Sequence, residues 1–295
     1  MKLIHLHQCR GITRRTIRKI LQFDPSLKAI YNLSSTKISN MVNIPMKNAT
    51  QFHQDLHNEK LFNQIIQDSS RYTIISIVDE NYPFMLKTIK DAPLVIYAIG
   101  DTTILDEKPS LSVIGTRNPS NEAMAKLALI VKPIVKEGWV IISGMAKGID
   151  SFAHRLSLAE HGKTVAVLGG GFQHIYPRQN FGLFKQMEKD GLVLSEYPPN
   201  VSPKPFHFPE RNRIISGLSF GTLVIEAMEK SGTLITVDQA LDQGREVYAV
   251  PGSPLIPQTK GCHQMIQDGA KLVSTSTDLL EDWEIIGENW KSLRI

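Results

Sequence analysis

Short apolar runs alternate with amphipathic stretches along most of the chain, and this alternation constrains the fold more than any other feature. The apolar runs lie at residues 72–78, 94–98, 111–114, 139–142, 164–168, 192–194, 223–225, 246–250 and 271–273, and helix-like stretches at 121–137, 149–161, 181–189 and 234–243. Strands that are buried on both faces read as nearly continuous apolar runs. We therefore predict an α/β fold, an extended Rossmann-like, doubly wound and mainly parallel sheet with helices on both faces. Ligands of such sheets bind at the carboxyl ends of the strands.

The first 65 residues have a different character, with short helix-like stretches separated by polar turns. Thr13 is placed to cap one of these helices. Residues 1–60 contain ten Lys or Arg and three Asp or Glu, a net charge of +7, whereas the whole chain carries +4, so the remainder carries −3. We predict a small helical domain at residues 1–65, a Rossmann-like domain at 70–280 and a C-terminal tail at 281–295.

Four basic residues of this N-terminal region form two pairs with a spacing of four, Arg14 with Arg18 and Arg15 with Lys19. Residues four apart lie along one side of a helix, so the pairs make a basic stripe. Such a stripe is commonly a solvated helix face. The alternative is a surface that follows a phosphate backbone, which the charge asymmetry permits.

Composition and missing motifs exclude several classes of protein. The hydrophobic content of 42% is that of a globular protein, and no apolar run approaches the roughly 20 residues of a membrane span. The N-terminal apolar stretch is too short for a secretory signal, so we expect a cytoplasmic protein. Cys9 and Cys262 are far apart and outside any C-x-x-C motif, so we predict neither a disulfide framework nor a metal site.

The sequence also lacks the known nucleotide-binding and catalytic motifs that we compared with it. Residues 157–164 lack the first glycine of a phosphate loop and precede a strand instead of following one. Gly169–Gly171 gives G-x-G, but His174 stands where the third glycine of a dinucleotide fingerprint belongs. The motifs of serine nucleophiles and zinc hydrolases are not found. We therefore predict no cofactor and no catalytic residue.

Two predicted strands are followed by glycine turns that carry a basic side chain. Gly115 lets the backbone turn at the end of one strand, and Arg117 follows it. Gly144 and Gly148 bracket the second turn around Lys147, where free N–H groups and the positive end of a helix dipole face outward. Each basic residue is either a ligand contact or a structural one.

Two later segments favour phosphate binding. Arg211 and Arg213 lie where a loop runs into an apolar stretch, and arginine suits bidentate phosphate contacts. Ser231 and Gly232 open a helix, where small residues let backbone N–H groups reach an anion. The alternative for the first segment is an ordinary arginine pair on a surface loop.

Further along, aromatic and basic residues are interleaved. Phe172, Tyr176, Phe206 and Phe208 lie close in sequence to Arg178, Lys204, Arg211 and Arg213. This combination suits single-stranded nucleic acid, whose phosphates are neutralised while its bases stack, although core packing explains some of the aromatics equally well. Asp150 and His154 are one helical turn apart and form either an acid–base pair or, more commonly, a structural hydrogen bond.

Taken together, these residues resemble the DNA-processing protein A (DprA, also called Smf) family over about residues 80–275. The matching segments, in family order, are Tyr82–Leu86, Asp91–Tyr97, Val113–Arg117, Ser143–His154, Gly169–Pro177, Phe208–Arg213, Ser231–Thr236, Val250–Gly252 and Gly261–Ala270. Two departures stand out. Lys147 replaces the usual arginine, and Asp91-Ala-Pro93 replaces a double proline, a change we expect to have no consequence.

The resemblance implies an extended Rossmann domain that binds single-stranded DNA without sequence specificity and helps load the RecA recombinase onto incoming strands during natural transformation. It implies a homodimer and admits a single-stranded-DNA-binding protein as a further partner. The residues that match the family's DNA groove are Arg117, Ser143, Gly144, Lys147, Arg178, Lys204, Arg211, Arg213, Ser231 and Gly232. Met265 and Ile266 match its self-association surface. The N-terminal segment resembles the family's sterile-alpha-motif-like domain, and no winged-helix domain is expected after residue 280.

A rival interpretation is a Rossmann enzyme that acts on a nucleotide or ribose phosphate. Ser231-Gly232-Thr233 and Glu226 resemble the phosphate loops of nucleoside-monophosphate phosphoribohydrolases, with Glu226 as general acid or base. The number of arginines favours DNA, because one mononucleotide needs less charge. If the chain only binds DNA, Glu226→Gln should leave oligonucleotide affinity nearly unchanged.

Overall fold

The computed structural model describes residues 1–106 and 109–292, which group into two compact units. The first unit contains Met1–Asn81 and Pro93–Tyr97, and the second contains Tyr82–Ala92 and the chain from Ala98 onward. The predicted domain limits near residues 65–70 and 280 stay predictions. Residues 281–292 belong to the last helix, and the final three residues of the predicted tail lie outside the described residues.

Helices dominate the first unit. They are α1 (Lys2–Gln8), α2 (Arg14–Phe23), α3 (Ser35–Val42), α4 (Met46–Leu56) and α5 (Glu59–Arg71), followed by strand β1 (Thr73–Ser76). The side-chain oxygen of Thr13 accepts a hydrogen bond from the Thr16 N–H at 3.3 Å, which confirms the predicted N-cap of α2. Fully buried apolar side chains hold the helices together, including Leu6, Ile20, Ile38, Phe52 and Ile65.

The second unit alternates strands and helices as predicted. Strand β2 (Val95–Gly100) begins in the first unit and ends in the second. The strands that follow are β3 (Ser110–Ile114), β4 (Val140–Ser143), β5 (Thr164–Leu168), β6 (Leu192–Ser195), β7 (Gly221–Val224), β8 (Glu246–Ala249) and β9 (Lys271–Leu272). The helices are α6 (Phe84–Lys87), α7 (Ala123–Lys136), α8 (Ile149–Ala159), α9 (Phe181–Asp190), α10 (His207–Gly217), α11 (Gly232–Asp242), α12 (Lys260–Gln267) and α13 (Thr277–Ser292).

Seven strands of this unit pair in parallel in the order β6-β5-β4-β3-β7-β8-β9. From β3 the chain adds β4, β5 and β6 on one side, then returns to place β7 on the other side of β3. The strand order therefore reverses between β3 and β7, where Ile114 pairs with Val224 at the carboxyl ends. Such a switch point opens a crevice between the loops on either side, which is the usual ligand site of an open α/β sheet.

The core lies between the central strands and the helices that cover them. Fully buried side chains of β3, β4 and β7, such as Val113, Ile141 and Leu223, pack against Ile130 and Ile134 of α7. The central strands are apolar and helices cover both faces of the sheet. The polar loops at the strand ends therefore form the crevice. No helix within residues 1–106 and 109–292 has both the length and the apolar character needed to span a bilayer.

Candidate nucleic-acid interface

A cleft of about 590 Å³ opens at the switch point of the sheet. It is lined by Ile114–Asn118 after β3, by Ala146 and Asp150 after β4, by Tyr176, Pro205, Phe208, Pro209, Arg211, Asn212 and Ile215, and by Ser231–Thr233, Ile235 and Thr236 at the start of α11. The structure thus brings together segments that the sequence analysis selected independently: the Arg117 loop, the loop after Gly144, the Arg211 region and the Ser231 turn.

The loop that carries Arg117 is anchored by a buried carboxylate. Glu226, which has no exposed surface, accepts hydrogen bonds from the Ser120 N–H at 2.8 Å, from the Ser120 hydroxyl at 2.5 Å and from Lys126 Nζ at 2.9 Å. Ser120 belongs to this loop and not to the helix that follows, because α7 begins only at Ala123 and its N-cap is Glu122. The Arg117 side chain itself is exposed at the cleft.

The loop after β4 is folded around a second buried carboxylate. Asp150 accepts hydrogen bonds from the N–H groups of Gly144 at 3.1 Å and Ala146 at 3.4 Å, and burial raises the pKa of this carboxyl group. Gly148 has φ +75°, and a Cβ there would lie 2.4 Å from the carbonyl oxygen of Thr116. Glycine is therefore required both by the backbone conformation and by the close approach of the Arg117 loop.

Helix α10 carries both arginines of the Arg211–Arg213 segment, and both are buried. Arg211 donates from Nη1 to the carbonyl oxygens of Gly144, at 2.5 Å, and of Val167. A Cβ on Gly144 would lie 2.5 to 2.6 Å from the guanidinium atoms, so the absence of a side chain there makes room for Arg211. Burial lowers the pKa of Arg211 to about 10, against the attraction of Asp150. The arginine therefore joins the loop after β4 to the carboxyl end of β5.

Arg213 is held inside the unit by two carboxylates. Its Nη2 donates to Glu196 Oε2 at 2.5 Å, and its Nε lies 3.6 Å from Asp91 Oδ2. Asp91 of the Asp91-Ala-Pro93 segment thus takes part in an ion pair, and the expectation that the loss of a double proline there has no consequence stays a prediction. The predicted contact of Arg213 with DNA stays a prediction.

The remaining predicted cations are exposed. They are Arg117, Lys147, Arg178 and Lys204. Arg178 lines a second cleft of about 540 Å³ together with Tyr176, so Tyr176 borders both clefts. The Lys204 ammonium lies 5.9 Å from the ring centroid of Phe206, which is 58% exposed.

Exposed aromatic rings lie among these cations. Tyr176 is 54% exposed and its ring centroid lies 5.4 Å from that of Phe208, at an interplanar angle of 50°. Phe172 is buried, so core packing accounts for that aromatic. The accessible rings Tyr176 and Phe206 leave π-faces to which unpaired bases could stack.

The small residues that were predicted to contact DNA also differ in burial. Ser143 is fully buried and donates its hydroxyl hydrogen to the Val113 carbonyl at 2.7 Å. Ser231 occupies the N-cap position of α11, and its side-chain oxygen has no hydrogen-bond partner among the described residues. Gly232 is exposed, and a Cβ there would meet nothing within 4 Å. The start of α11 is therefore open at Gly232, and the N-terminus of a helix favours an anion there.

Asp150 and His154 do not form the pair that their spacing suggested. His154 is fully buried, and its Nδ1 lies 2.7 Å from the Thr164 hydroxyl, which itself donates to the Ile141 carbonyl at 2.7 Å. Burial lowers the pKa of His154 to about 3. Each residue holds α8 against the strands separately, and neither forms an acid–base dyad.

A family model for DNA recombination-mediator protein A matches residues 73–284. The chain belongs to this family. It is 48% identical to DNA processing protein DprA of Bacillus subtilis over 208 residues, which cover 70% of each chain. It is 38% identical to DprA of Streptococcus pneumoniae over 276 residues, which cover 93% of this chain and 95% of that protein.

Two solved structures of DprA proteins resemble the structure of this family member. The X-ray structure of the Streptococcus pneumoniae protein has a TM-score of 0.84 at 36% identity and covers 95% of this chain and 97% of that chain. The structure of the Helicobacter pylori protein, reported for its single-stranded DNA binding mode, has a TM-score of 0.65 at 27% identity and covers 72% of this chain and 98% of that chain. The predicted α/β class, with helices before a mainly parallel sheet, is confirmed.

In this DprA-family chain, sequence reasoning missed side chains that position the loops. Buried Asn180 donates from Nδ2 to the carbonyl oxygens of Met145 at 2.8 Å and Ala146 at 3.2 Å, and Lys126 pairs with Glu226. Asn180 lies 34 and 35 residues from the carbonyl groups that it holds, and Lys126, on α7 directly after the Arg117 loop, lies 100 residues from Glu226. In the sequence, these two residues could be noticed only because a polar side chain, an amide or an ammonium group, stands next to apolar helix positions.

Proposed function

We propose that this chain binds single-stranded DNA without sequence specificity and acts as a recombination mediator. The observation that carries the proposal is the cleft at the switch point, where exposed Arg117 and the accessible start of α11 face the ring of Tyr176. A cation and free N–H groups suit phosphates, and an exposed ring suits an unpaired base. The single-stranded DNA binding mode reported for the Helicobacter pylori relative supports the same ligand class.

The residues of the predicted groove take two roles in this proposal. Arg117, Lys147, Arg178 and Lys204 contact phosphates, with Ser231 and Gly232 providing backbone contacts, because the Ser231 hydroxyl oxygen is buried. Arg211, Arg213, Ser143 and Gly144 shape the loops that present these groups, because their polar atoms bond within the protein. Lys147 offers a point charge where arginine would offer a planar fork, so its phosphate contact is less directional.

The family membership supports a wider role in recombination. We infer that the protein acts in the cytoplasm as a homodimer, protects incoming strands and helps load a RecA-type recombinase onto them during natural transformation. A single-stranded-DNA-binding protein is a further partner of this proposal. Binding alone accomplishes these tasks, so no catalysis is assigned to the chain.

The geometry disfavours the rival enzyme. Both carboxylate oxygens of Glu226 accept hydrogen bonds from Ser120 or Lys126, and the residue has no exposed surface. A general acid or base must reach the proton it transfers, within hydrogen-bond distance or through one water. Release of free base from a nucleoside monophosphate by the wild-type protein would restore the enzyme interpretation.

Competition between DNA forms tests the proposal. Fluorescence anisotropy should show tighter binding of oligo-dT than of a duplex of equal length, because stacking needs unpaired bases. Arg117→Ala and Lys204→Ala should each lower the slope of log affinity against log salt by about 0.7, the value for one phosphate of a single strand. Glu229→Gln, at an exposed position, is the matched control and should not lower the slope. Equal affinity for both DNA forms would contradict the proposal.

A further inference from the structure

Helix α2 of the first unit presents a basic and aromatic face that the cleft does not use. Arg15, Lys19 and Phe23 are exposed and follow one another at intervals of four residues, so they lie along one side of the helix. Phe23 is 65% exposed, so its ring is accessible to a ligand. The opposite side of α2 buries Thr16, Ile17 and Ile20 in the unit.

The charge of α2 is not explained by the stability of the helix. Its ten residues include four cations and no carboxylate, and two of the cations, Arg14 and Arg15, lie in the first turn. Cations there meet the positive end of the helix dipole, where acidic residues are the stabilising choice. Arg15 belongs both to this turn and to the exposed face, so it is not placed to stabilise its own helix, and its exposed side chain can meet an anionic partner outside the chain.

We propose that Arg15, Lys19 and Phe23 form a second binding surface for single-stranded DNA, with the two cations on phosphates and the ring on a base. This inference rests on the proposed function. The first unit contains eleven Lys or Arg and six Asp or Glu, a net charge of +5, so it attracts a polyanion by itself. An anionic membrane fits less well, because the apolar side of α2 is buried and leaves one exposed ring instead of an apolar face.

The test is a salt titration of the full chain with an oligo-dT of about 50 nucleotides, several times the 4–16 nucleotides that one single-strand-binding fold covers. Arg15→Ala with Lys19→Ala should lower the slope of log affinity against log salt by about 1.4, two single-strand phosphate contacts. Phe23→Ala should weaken binding at least ~5-fold at fixed salt and leave the slope unchanged, since stacking releases no counterions.

The matched control removes the same charge elsewhere in the unit. Lys47 of α4 and Lys60 of α5 are exposed, and their double alanine variant should keep the wild-type slope. An equal loss of slope in both double variants would overturn the inference, because net charge alone would then explain it. An unchanged slope in the Arg15/Lys19 variant would overturn it as well. If the Arg15/Lys19 double variant lost binding to phosphatidylserine vesicles and kept its DNA binding, the face would be assigned to membranes.

Failure of this inference is distinguishable from failure of the proposed function. If Arg117→Ala lowers the slope while the Arg15/Lys19 double variant does not, only the second surface is wrong. If the wild-type chain does not bind oligo-dT in any salt, both are wrong. Circular dichroism of each variant should match the wild type, because the substituted side chains are exposed.

Discussion

Residues of the cleft divide into those that can meet DNA and those that hold the loops, and burial separates the two groups. Arg117 and Arg211 both line the cleft, yet Arg117 is exposed while Arg211 is buried and donates to two carbonyl oxygens. The same holds for the glycines. The space above Gly144 is occupied by Arg211, whereas the space above Gly232 is open.

This difference predicts opposite outcomes for two glycine substitutions. Gly144→Ala should lower the free energy of unfolding by about 1–3 kcal/mol, because its Cβ would overlap the Arg211 guanidinium in a closely packed site. Gly232→Ala should leave stability unchanged or raise it slightly, since alanine is the better helix former and meets no neighbour. Urea unfolding of both variants decides the matter. Equal stability of the two would show that Arg211 moves aside at no cost.

His154 predicts a dependence of stability on pH. Its pKa is about 3 in the folded chain and 6.5 in the unfolded chain, so the unfolded state binds more protons between these values. The free energy of unfolding should therefore fall as pH is lowered from 6.5 toward 3, by at most ~1.4 kcal/mol per pH unit from this residue. Protonation would also add a buried N–H at Nε2, an atom with no hydrogen-bond partner among the described residues.

Comparison with His154→Asn isolates this contribution. The variant loses packing at every pH, so the informative quantity is the slope of unfolding free energy against pH and not its absolute value. A shallower slope below pH 6.5, with parallel curves above it, is expected from urea unfolding at a series of pH values. Parallel curves over the whole range would assign the acid sensitivity to other groups.

At the scale of elements, apolar patterning predicted most strands and helices, but α10 was expected to begin as a loop. Its buried side includes polar residues such as His207 and Arg211, so apolar periodicity is weak where the helix begins. Pro209 lies in the first turn, where a missing N–H costs no helical hydrogen bond. Which cations would be buried was also not predictable, because the partners of Arg211 and Arg213 come from distant strand ends.

The loop between β3 and α7 provides the prediction at this scale. Glu226→Gln places an amide where Ser120 and Lys126 both direct donors, and it removes the ion pair. The structure thus changes the expectation that this substitution is neutral for DNA. We expect a loss of roughly 1–3 kcal/mol in stability, the cost of an unmatched buried polar group. Oligo-dT affinity should fall as well, because the Arg117 loop is less firmly held. Unchanged affinity, measured beside Glu229→Gln, would separate this loop from DNA binding.

At the scale of the whole molecule, we place the interface of the proposed dimer at the edge of the sheet that ends with β9. Strand β9 is last in that order, and Leu272 on it is 44% exposed. On α12, Ile266 is partly exposed, but Met265 is only 5% exposed within a single chain. Met265 is therefore packed within its own chain, and its predicted interface role stays a prediction. Ile266 and Leu272 present more apolar surface to a partner.

Charge insertion at these positions should separate assembly from folding. Leu272→Glu should give folded monomers by light scattering, because a carboxylate in an apolar two-fold contact would be buried twice without a partner. Met265→Glu should instead unfold or strongly destabilise the chain.

If two clefts of one dimer hold the same strand, the Leu272→Glu monomer should lose affinity for long oligo-dT while keeping its affinity for short oligonucleotides, since only the long strand gains from bivalent binding. A Leu272→Glu protein that stays dimeric would place the interface elsewhere on the surface.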